Sequence, residues 1–187
     1  RPSRARLSVS IFKACDIRGV VGQEWDASVA RKIGRSLGSM IHRRGGGSVC
    51  VGGDFRGSTP LLKQALLDGL IVTGATIQDV GQLPTPVIYF AARQLDCRHV
   101  AIVTASHNAG EYNGVKFMVA GQPAVPALIE ELQAGLNSEG VVDQPGCVQR
   151  VDLLAAYESR VVSDAMTFVQ YTSGNSRRLR IVVDTMA

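Results

Sequence analysis

Apolar residues recur along the chain in two rhythms, and the switching between them predicts the fold. Val29, Ile33, Leu37, Met40 and Ile41 fall at helical spacing behind Asp26, a residue suited to cap a helix, and Arg43, Arg44 and "GGG" supply the stop. "SVCVGGD" is a short apolar run that reads as a buried strand, and "STPLLKQALLDGLIVTG" reads as a helix with a Ser/Thr cap and Pro60 in its first turn. "ATIQDVG" predicts the next strand, and "PTPVIYFAARQL" a helix capped by Thr85 with Pro86 behind it. "HVAIVTA" and "VKFMVAG" predict two further strands, joined by a tight turn at "YNG" into a hairpin. Ahead of all these, "SIFKACD" fits a strand followed by a turn at "IRG".

A helix is expected from Ala124 to Leu136, then a Gly/Pro-containing stretch "NSEGVVDQPG", then a helix in "VDLLAAYESRVVSDAM". "LRIVVDTMA" reads as one more strand. Alternating strands and helices imply a three-layer α/β/α domain: a mixed, mostly parallel sheet with helices on both faces and an antiparallel edge at the hairpin. The expected organisation is a basic tail over 1–9, a domain over 10–150, and the opening of a second, similar α/β unit over 151–187. Opening on Arg1 and closing on a strand with no helix after it is the pattern expected of a cut chain.

Composition narrows the function. The 187 residues are 45% hydrophobic and 19% charged, and no apolar run is long enough to span a bilayer, so no membrane contact is expected of this segment. The net charge of +4 is partly concentrated in "RPSRAR". Elsewhere the basic residues form no stripe interleaved with aromatics, which gives nucleic-acid binding no support. The four cysteines, Cys15, Cys50, Cys97 and Cys147, lie more than thirty residues apart with no CxxC pair, which argues against a zinc site and for a reduced, cytoplasmic setting.

The chemistry concentrates in "TASHNAGEYNGVK", Thr104 to Lys116. Ser106 stands just past the carboxyl end of an apolar strand, where open α/β sheets place their ligand sites, and its small neighbours Ala105, Ala109 and Gly110 leave room for an anionic group. A serine hydrolase with His107 as base is disfavoured, because adjacent residues in extended chain point opposite ways and no G-x-S-x-G elbow is present. A serine that carries phosphate suits the loop better. It needs nearby cations, which Lys116 and Arg18 could supply. Taken singly, Lys116 is also an ordinary solvated lysine and Arg18 the partner of Asp16 in a surface ion pair. His42 and His99 match no pattern and are expected to be ordinary surface or core residues.

The loop resembles the active-serine motif of the α-D-phosphohexomutases, the phosphomannomutase/phosphoglucomutase family, whose pattern is T-A/G-S-H-N-P, two residues, then Y-N-G-x-K. "FKACDIRGVVG", "VGGDFRGSTP" and "DVGQLPTPVIYFAA" match the same family in order, so the resemblance runs from about Ile11 to Ala120 and continues weakly to "LRIVVDTMA". It implies that Ser106 is phosphorylated and gives its phosphate to a hexose phosphate, through a hexose 1,6-bisphosphate that also serves as activator. It further implies Lys116 as general acid/base, His107 as an assistant beside the serine, Arg18 and Asn108 at the phosphate, and Mg²⁺ bound in part through the Ser106 phosphate.

The substrate expected is mannose or glucose phosphate, and the protein is expected to be a monomer. The aspartates of the family's D-G-D-G-D-R metal loop and its sugar-reading loops have no match here, so no turnover is expected from these residues alone. Ala109, Cys15 and Gly53 depart from the family's proline, tyrosine and arginine. Cys15 and Gly53 favour the alternative, a non-catalytic domain that keeps the fold for anion binding or assembly. Retention of Ser106, His107, Lys116 and Arg18 together argues against it.

Overall fold

A computed structural model of the chain describes residues 11–137, 144–172, 180 and 182–183, with side chains described up to 169 in the last helix. The expected basic tail over 1–9, and most of the strand expected over 179–187, lie outside the described residues. The chain divides into two compact units, with the boundary between Leu153 and Leu154.

In the first unit the strands are β1 (Ile17–Val20), β2 (Ser48–Gly53), β3 (Thr76–Gln82), β4 (His99–Val103), β5 (Tyr112–Val119), β6 (Gln122–Pro123) and β7 (Cys147–Arg150). The helices between them are α1 (Ala27–Arg43), α2 (Thr59–Ile71), α3 (Thr85–Gln94) and α4 (Pro126–Ala134), the last followed by a 3₁₀ turn, Gly135–Asn137. The sheet order is β1-β5-β4-β2-β3-β7, with β6 paired to β5. β4, β2, β3 and β7 run parallel, while β5 is antiparallel to both β4 and β1.

Strand alternation makes the three layers. Val49 and Val51 of β2, Ala101 and Val103 of β4, and Val115, Phe117 and Val119 of β5 join one core with α1, α2 and α4. Cys50 turns the other way, its Sγ facing the Ile88 carbonyl of α3, which covers the opposite face. The helical spacing holds in α1: Val29, Ile33, Leu37, Met40 and Ile41 are all buried. The side chain of Asp26 accepts hydrogen bonds from Ser28 N–H and Val29 N–H, as its capping position requires. At the other end Gly45, Gly46 and Gly47 all take positive φ, a run of backbone that only glycine adopts readily.

Several local expectations are corrected. "IRG" is not a turn: Ile17–Val20 is the outer strand, its short I-R-G-V alternation buried at Ile17 and Gly19, and the described residues before it, 11–16, form no extended strand. "YNG" is not the hairpin turn either. Asn113 and Gly114 lie inside β5, and the link from β4 is the longer segment 104–111. The antiparallel strand is therefore flanked on both sides rather than sitting at the edge. Thr85 is the first residue of α3, with Pro84 at the cap, and Ser58 at the start of α2 makes no capping bond because its hydroxyl accepts from Asn113 instead. β7, within a stretch that carries no apolar alternation, pairs in parallel with β3. The second unit carries α5 (Leu154–Thr172).

His99 is a core residue, as expected, while His42 is exposed. The His99 Nε2–H donates to Gly46 O at 3.1 Å and its Nδ1 accepts from Ala120 N–H at 3.2 Å, which ties the glycine turn after α1 to the end of β5. Both contacts suit the neutral ring. Burial pushes its pKa below the ordinary imidazole value, with Arg98 and Arg44 adding to the effect and the Gly46 contact opposing it. The unfolded chain therefore takes up this proton first on acidification, and stability falls as pH drops from about 6.5 through the lower folded value. Urea denaturation between pH 7.5 and 5 should show this loss in the wild type. His99→Gln should be less stable by about 1 kcal/mol at pH 7.5 but flatter across the window.

Candidate active site

The serine loop starts where β4 runs out. Thr104 and Ala105 are still buried, and Ser106 and His107 emerge exposed. Ser106 has φ +58°, in the left-handed region, which costs a residue with a side chain about 1–2 kcal/mol. Local bonds hold it there: Ser106 N–H donates to Thr104 Oγ1 at 3.0 Å, and Asn108 N–H donates to Ala105 O at 3.1 Å. The turn brings Ser106 Oγ to 3.2 Å from His107 Nδ1. The expectation that neighbouring side chains point apart fails here, because the backbone at Ser106 is not extended. The missing G-x-S-x-G elbow still separates this loop from the serine hydrolases.

Arg18 reaches the loop from β1. Its Nη1 donates to Asn108 Oδ1 at 2.7 Å and its Nη2 to Asp16 Oδ2 at 2.5 Å. The ion pair with Asp16 and the contact with the loop thus exist together. The Arg18 Nε–H is buried and has no acceptor among the described residues.

Lys116 is placed differently from Arg18. It lies in β5 opposite Ile102, four residues before Ser106 in chain order, and is half-buried on the α3 side of the sheet. Among the described residues it has no hydrogen-bond or ion-pair partner, and no bond joins it to Ser106, His107 or Asn108. The structure therefore brings together Ser106, His107, Asn108 and Arg18, and leaves Lys116 near them in the sheet without a contact.

Arg56, which carries no role in the sequence reading, is the most connected side chain of the site. Its Nη2 donates to Ser106 O at 3.0 Å and Asn108 O at 2.6 Å, and its Nη1 to Ala109 O at 2.6 Å and Tyr112 O at 3.2 Å. Its Nε donates to Asp54 Oδ2 at 3.0 Å. The other oxygen of Asp54 accepts from the Thr59 hydroxyl at 2.6 Å, and Thr59 Oγ1 in turn accepts from Asn113 Nδ2 at 3.0 Å. In the sequence Arg56 lies just after an apolar strand, within "VGGDFRGSTP", one of the stretches that carry the family resemblance.

The departures from the family pattern find places in this network. Ala109 contributes only its carbonyl, which accepts from Arg56 and from Tyr112 N–H, so its side chain is not needed for those bonds. At Gly53 a Cβ would press on the Thr59 methyl and lie 3.2 Å from Val103 O, so glycine suits the packing around Thr59. Cys15 is exposed with a free thiol. Magnesium prefers several hard oxygen ligands in octahedral geometry. Among the described residues no three His, Cys, Asp or Glu side chains converge to hold a metal, so the residues present do not make a Mg²⁺ site by themselves.

An exposed serine just beyond the carboxyl end of a strand, in a sheet with helices on both faces, stands where open α/β domains place their ligand sites. The model of the phosphoglucomutase/phosphomannomutase family, alpha/beta/alpha domain I, matches residues 9–141, and the chain belongs to that family. It is 40% identical over 158 residues to a phosphomannomutase/phosphoglucomutase of Pseudomonas aeruginosa, covering 84% of this chain and 34% of that protein. It is 38% identical over 188 residues to a phosphoglucomutase/phosphomannomutase of Thermococcus kodakarensis, covering 94% of this chain and 39% of that protein. A crystal structure of a phosphoglucomutase/phosphomannomutase family protein from Burkholderia thailandensis superposes with TM-score 0.77 at 41% identity, over 83% of this chain and 36% of that one. The chain thus spans about a third of the length of these relatives.

Gly114 leaves no room for a side chain between the strands of the site. It is paired with Arg18, and its carbonyl accepts from Thr104 N–H at 3.0 Å. A Cβ there would overlap Ile17 O and come within 3.0 Å of Thr104 O. Gly114→Ala should therefore lower unfolding free energy by about 2–3 kcal/mol, as overpacking against fixed backbone does. Urea denaturation would check it, and a change under about 0.5 kcal/mol, the range of an ordinary surface substitution, would contradict the close approach.

Proposed function

We propose that this chain is the phosphoserine-bearing part of a phosphohexomutase, which moves phosphate between the 1 and 6 positions of mannose or glucose phosphate through a hexose 1,6-bisphosphate. The observation that carries the proposal is the exposed Ser106, held in a left-handed turn 3.2 Å from His107 Nδ1, with Arg18 anchored to Asn108 two residues on. Transfer of an anionic group needs positioning and charge stabilisation more than covalent chemistry, and these residues offer both.

In the first half-reaction the bond between Ser106 Oγ and phosphorus breaks, and a hydroxyl of the hexose phosphate takes the phosphoryl group. The hydroxyl proton leaves to a base, and the departing Ser106 Oγ takes up a proton from an acid within reach, a place that His107 Nδ1 at 3.2 Å can fill. The bisphosphate then presents its other phosphate, whose phosphorus forms a bond to Ser106 Oγ while the sugar oxygen departs and takes up a proton. His107 Nδ1 is within reach of the serine proton in this step. Lys116 is assigned general acid/base action by the resemblance, and a half-buried lysine with no ion-pair partner among the described residues is suited to move a proton at the sugar. Arg18, whose Nη1 and Nη2 each carry a second N–H beyond those given to Asn108 and Asp16, meets the phosphate together with Asn108.

Magnesium belongs to this reading through the family. A phosphate on Ser106 is the place on the chain where such an ion would gain oxygen ligands, and no step above is routed through it. The reading also takes the protein as a cytoplasmic monomer and the 187 residues as inactive alone. Among the described residues no helix is long and apolar enough to cross a membrane. The division of the chain into a domain over 10–150 and the opening of a second over 151–187 is part of the same proposal, and the compact-unit boundary at Leu153 lies close to it.

The test is the intact mass of the full-length protein made in bacteria, with and without Ser106→Ala. The wild type should carry one phosphoryl group that the variant lacks, and adding a hexose 1-phosphate should discharge it. A serine that stays unmodified after incubation with hexose 1,6-bisphosphate and Mg²⁺ would contradict the proposal.

A further inference from the structure

We infer that Arg56 is a positioning residue for phosphoryl transfer: it sets the orientation of Ser106 and takes no part in holding the phosphate. The inference rests on the mutase reading and adds to it a division of labour between two arginines. A guanidinium has five N–H donors in one rigid plane. In Arg56 the five donate to Asp54 Oδ2 and to the carbonyls of Ser106, Asn108, Ala109 and Tyr112. No donor is left for a ligand.

Its charge is also matched, by an Asp54 carboxylate 3.0 Å away, with the two side chains 14% and 19% exposed. Arg18 is the opposite case. Its Nη1 and Nη2 each give one N–H, to Asn108 and Asp16, which leaves a second N–H on each without an acceptor among the described residues. A phosphate arriving at Ser106 therefore finds donor capacity on Arg18 and none on Arg56.

Fixing carbonyls is a way of fixing the serine. The Ser106 carbonyl belongs to the peptide plane that joins Ser106 to His107, so the bond from Arg56 Nη2 sets that plane. Rotation of the plane would carry the His107 ring away from Ser106 Oγ, and would release Ser106 from a backbone conformation that is unfavourable by itself. Carbonyls from four residues spread over the loop converge on one planar group. A lysine has three donors on a flexible stem and cannot reproduce the arrangement.

The test uses the full-length protein with Arg56→Lys and Arg56→Ala. Misplacing the reacting oxygen by about 1 Å should cost about 100-fold in kcat, while KM for the hexose phosphate stays within about threefold. Added guanidinium ion should recover at least about tenfold of the loss in Arg56→Ala, where it can refill the vacated plane, and should not help Arg56→Lys. Arg56→Lys keeps the charge beside Asp54, so its split between kcat and KM stands even if Arg56→Ala does not fold. A kcat within about threefold of wild type in folded Arg56→Lys would overturn the inference, and so would a loss carried by KM, which would put Arg56 on the phosphate. Failure of guanidinium to rescue folded Arg56→Ala would count against it equally. A wild type that never phosphorylates Ser106 sinks the mutase reading and this inference together. A phosphorylated wild type with an unimpaired Arg56→Lys sinks this inference alone.

Discussion

Three strands converge at Gly114, and the arrangement of the site depends on that closeness. β5 runs antiparallel to β4 on one side and to β1 on the other, so the strand that delivers Ser106 and the strand that delivers Arg18 are its two neighbours. Gly114 faces Arg18 in the register and accepts the Thr104 N–H through its carbonyl. A side chain at that position would separate the strands. With glycine there, residues 90 positions apart meet as Arg18 Nη1 and Asn108 Oδ1 at 2.7 Å.

Around this junction the polar groups sort by what they are bonded to. Asn113, fully buried, joins β5 to the start of α2 through Ser58 and Thr59, and Thr59 passes the connection to Asp54 and so to Arg56. Buried polar groups are tolerated when each finds a partner, and a chain of satisfied groups fixes geometry as well as energy. The result is a loop whose backbone is held from behind, by groups with their hydrogen bonds already made, while Ser106 and His107 remain exposed in front. Such preorganisation is what catalysis by positioning requires.

Much of this was legible in the sequence, and the misses share a cause. Helical spacing in α1 and the Asp26 cap are local properties, and local bonds carry them. Ser106 stands out by its place just past an apolar strand, whereas His107, Asn108 and Arg18 take their expected roles from the resemblance of two short segments to the family's motifs, and the structure brings the four together. Asn113–Gly114 was misread because the local signal for a turn is strong, whereas the partners that hold Asn113 lie more than fifty residues away. β1 is four residues of mixed polarity whose strand character comes from pairing with β5, and β7 likewise exists through its pairing with β3. Arg56 lies in "VGGDFRGSTP", a stretch that carries the family resemblance, but nothing in its residue type marks a role. Its importance comes from carbonyls, which every residue has and which sequence patterns do not mark.

The central claim is that Ser106 carries the phosphate in every turnover, and rapid quenching tests it most directly. Full-length protein would be charged with labelled phosphate on Ser106 and mixed with a hexose 1-phosphate. The account predicts that label leaves Ser106 for hexose 1,6-bisphosphate, and returns, at rates no slower than steady-state turnover. Turnover that outpaces loss of label from Ser106 would contradict it.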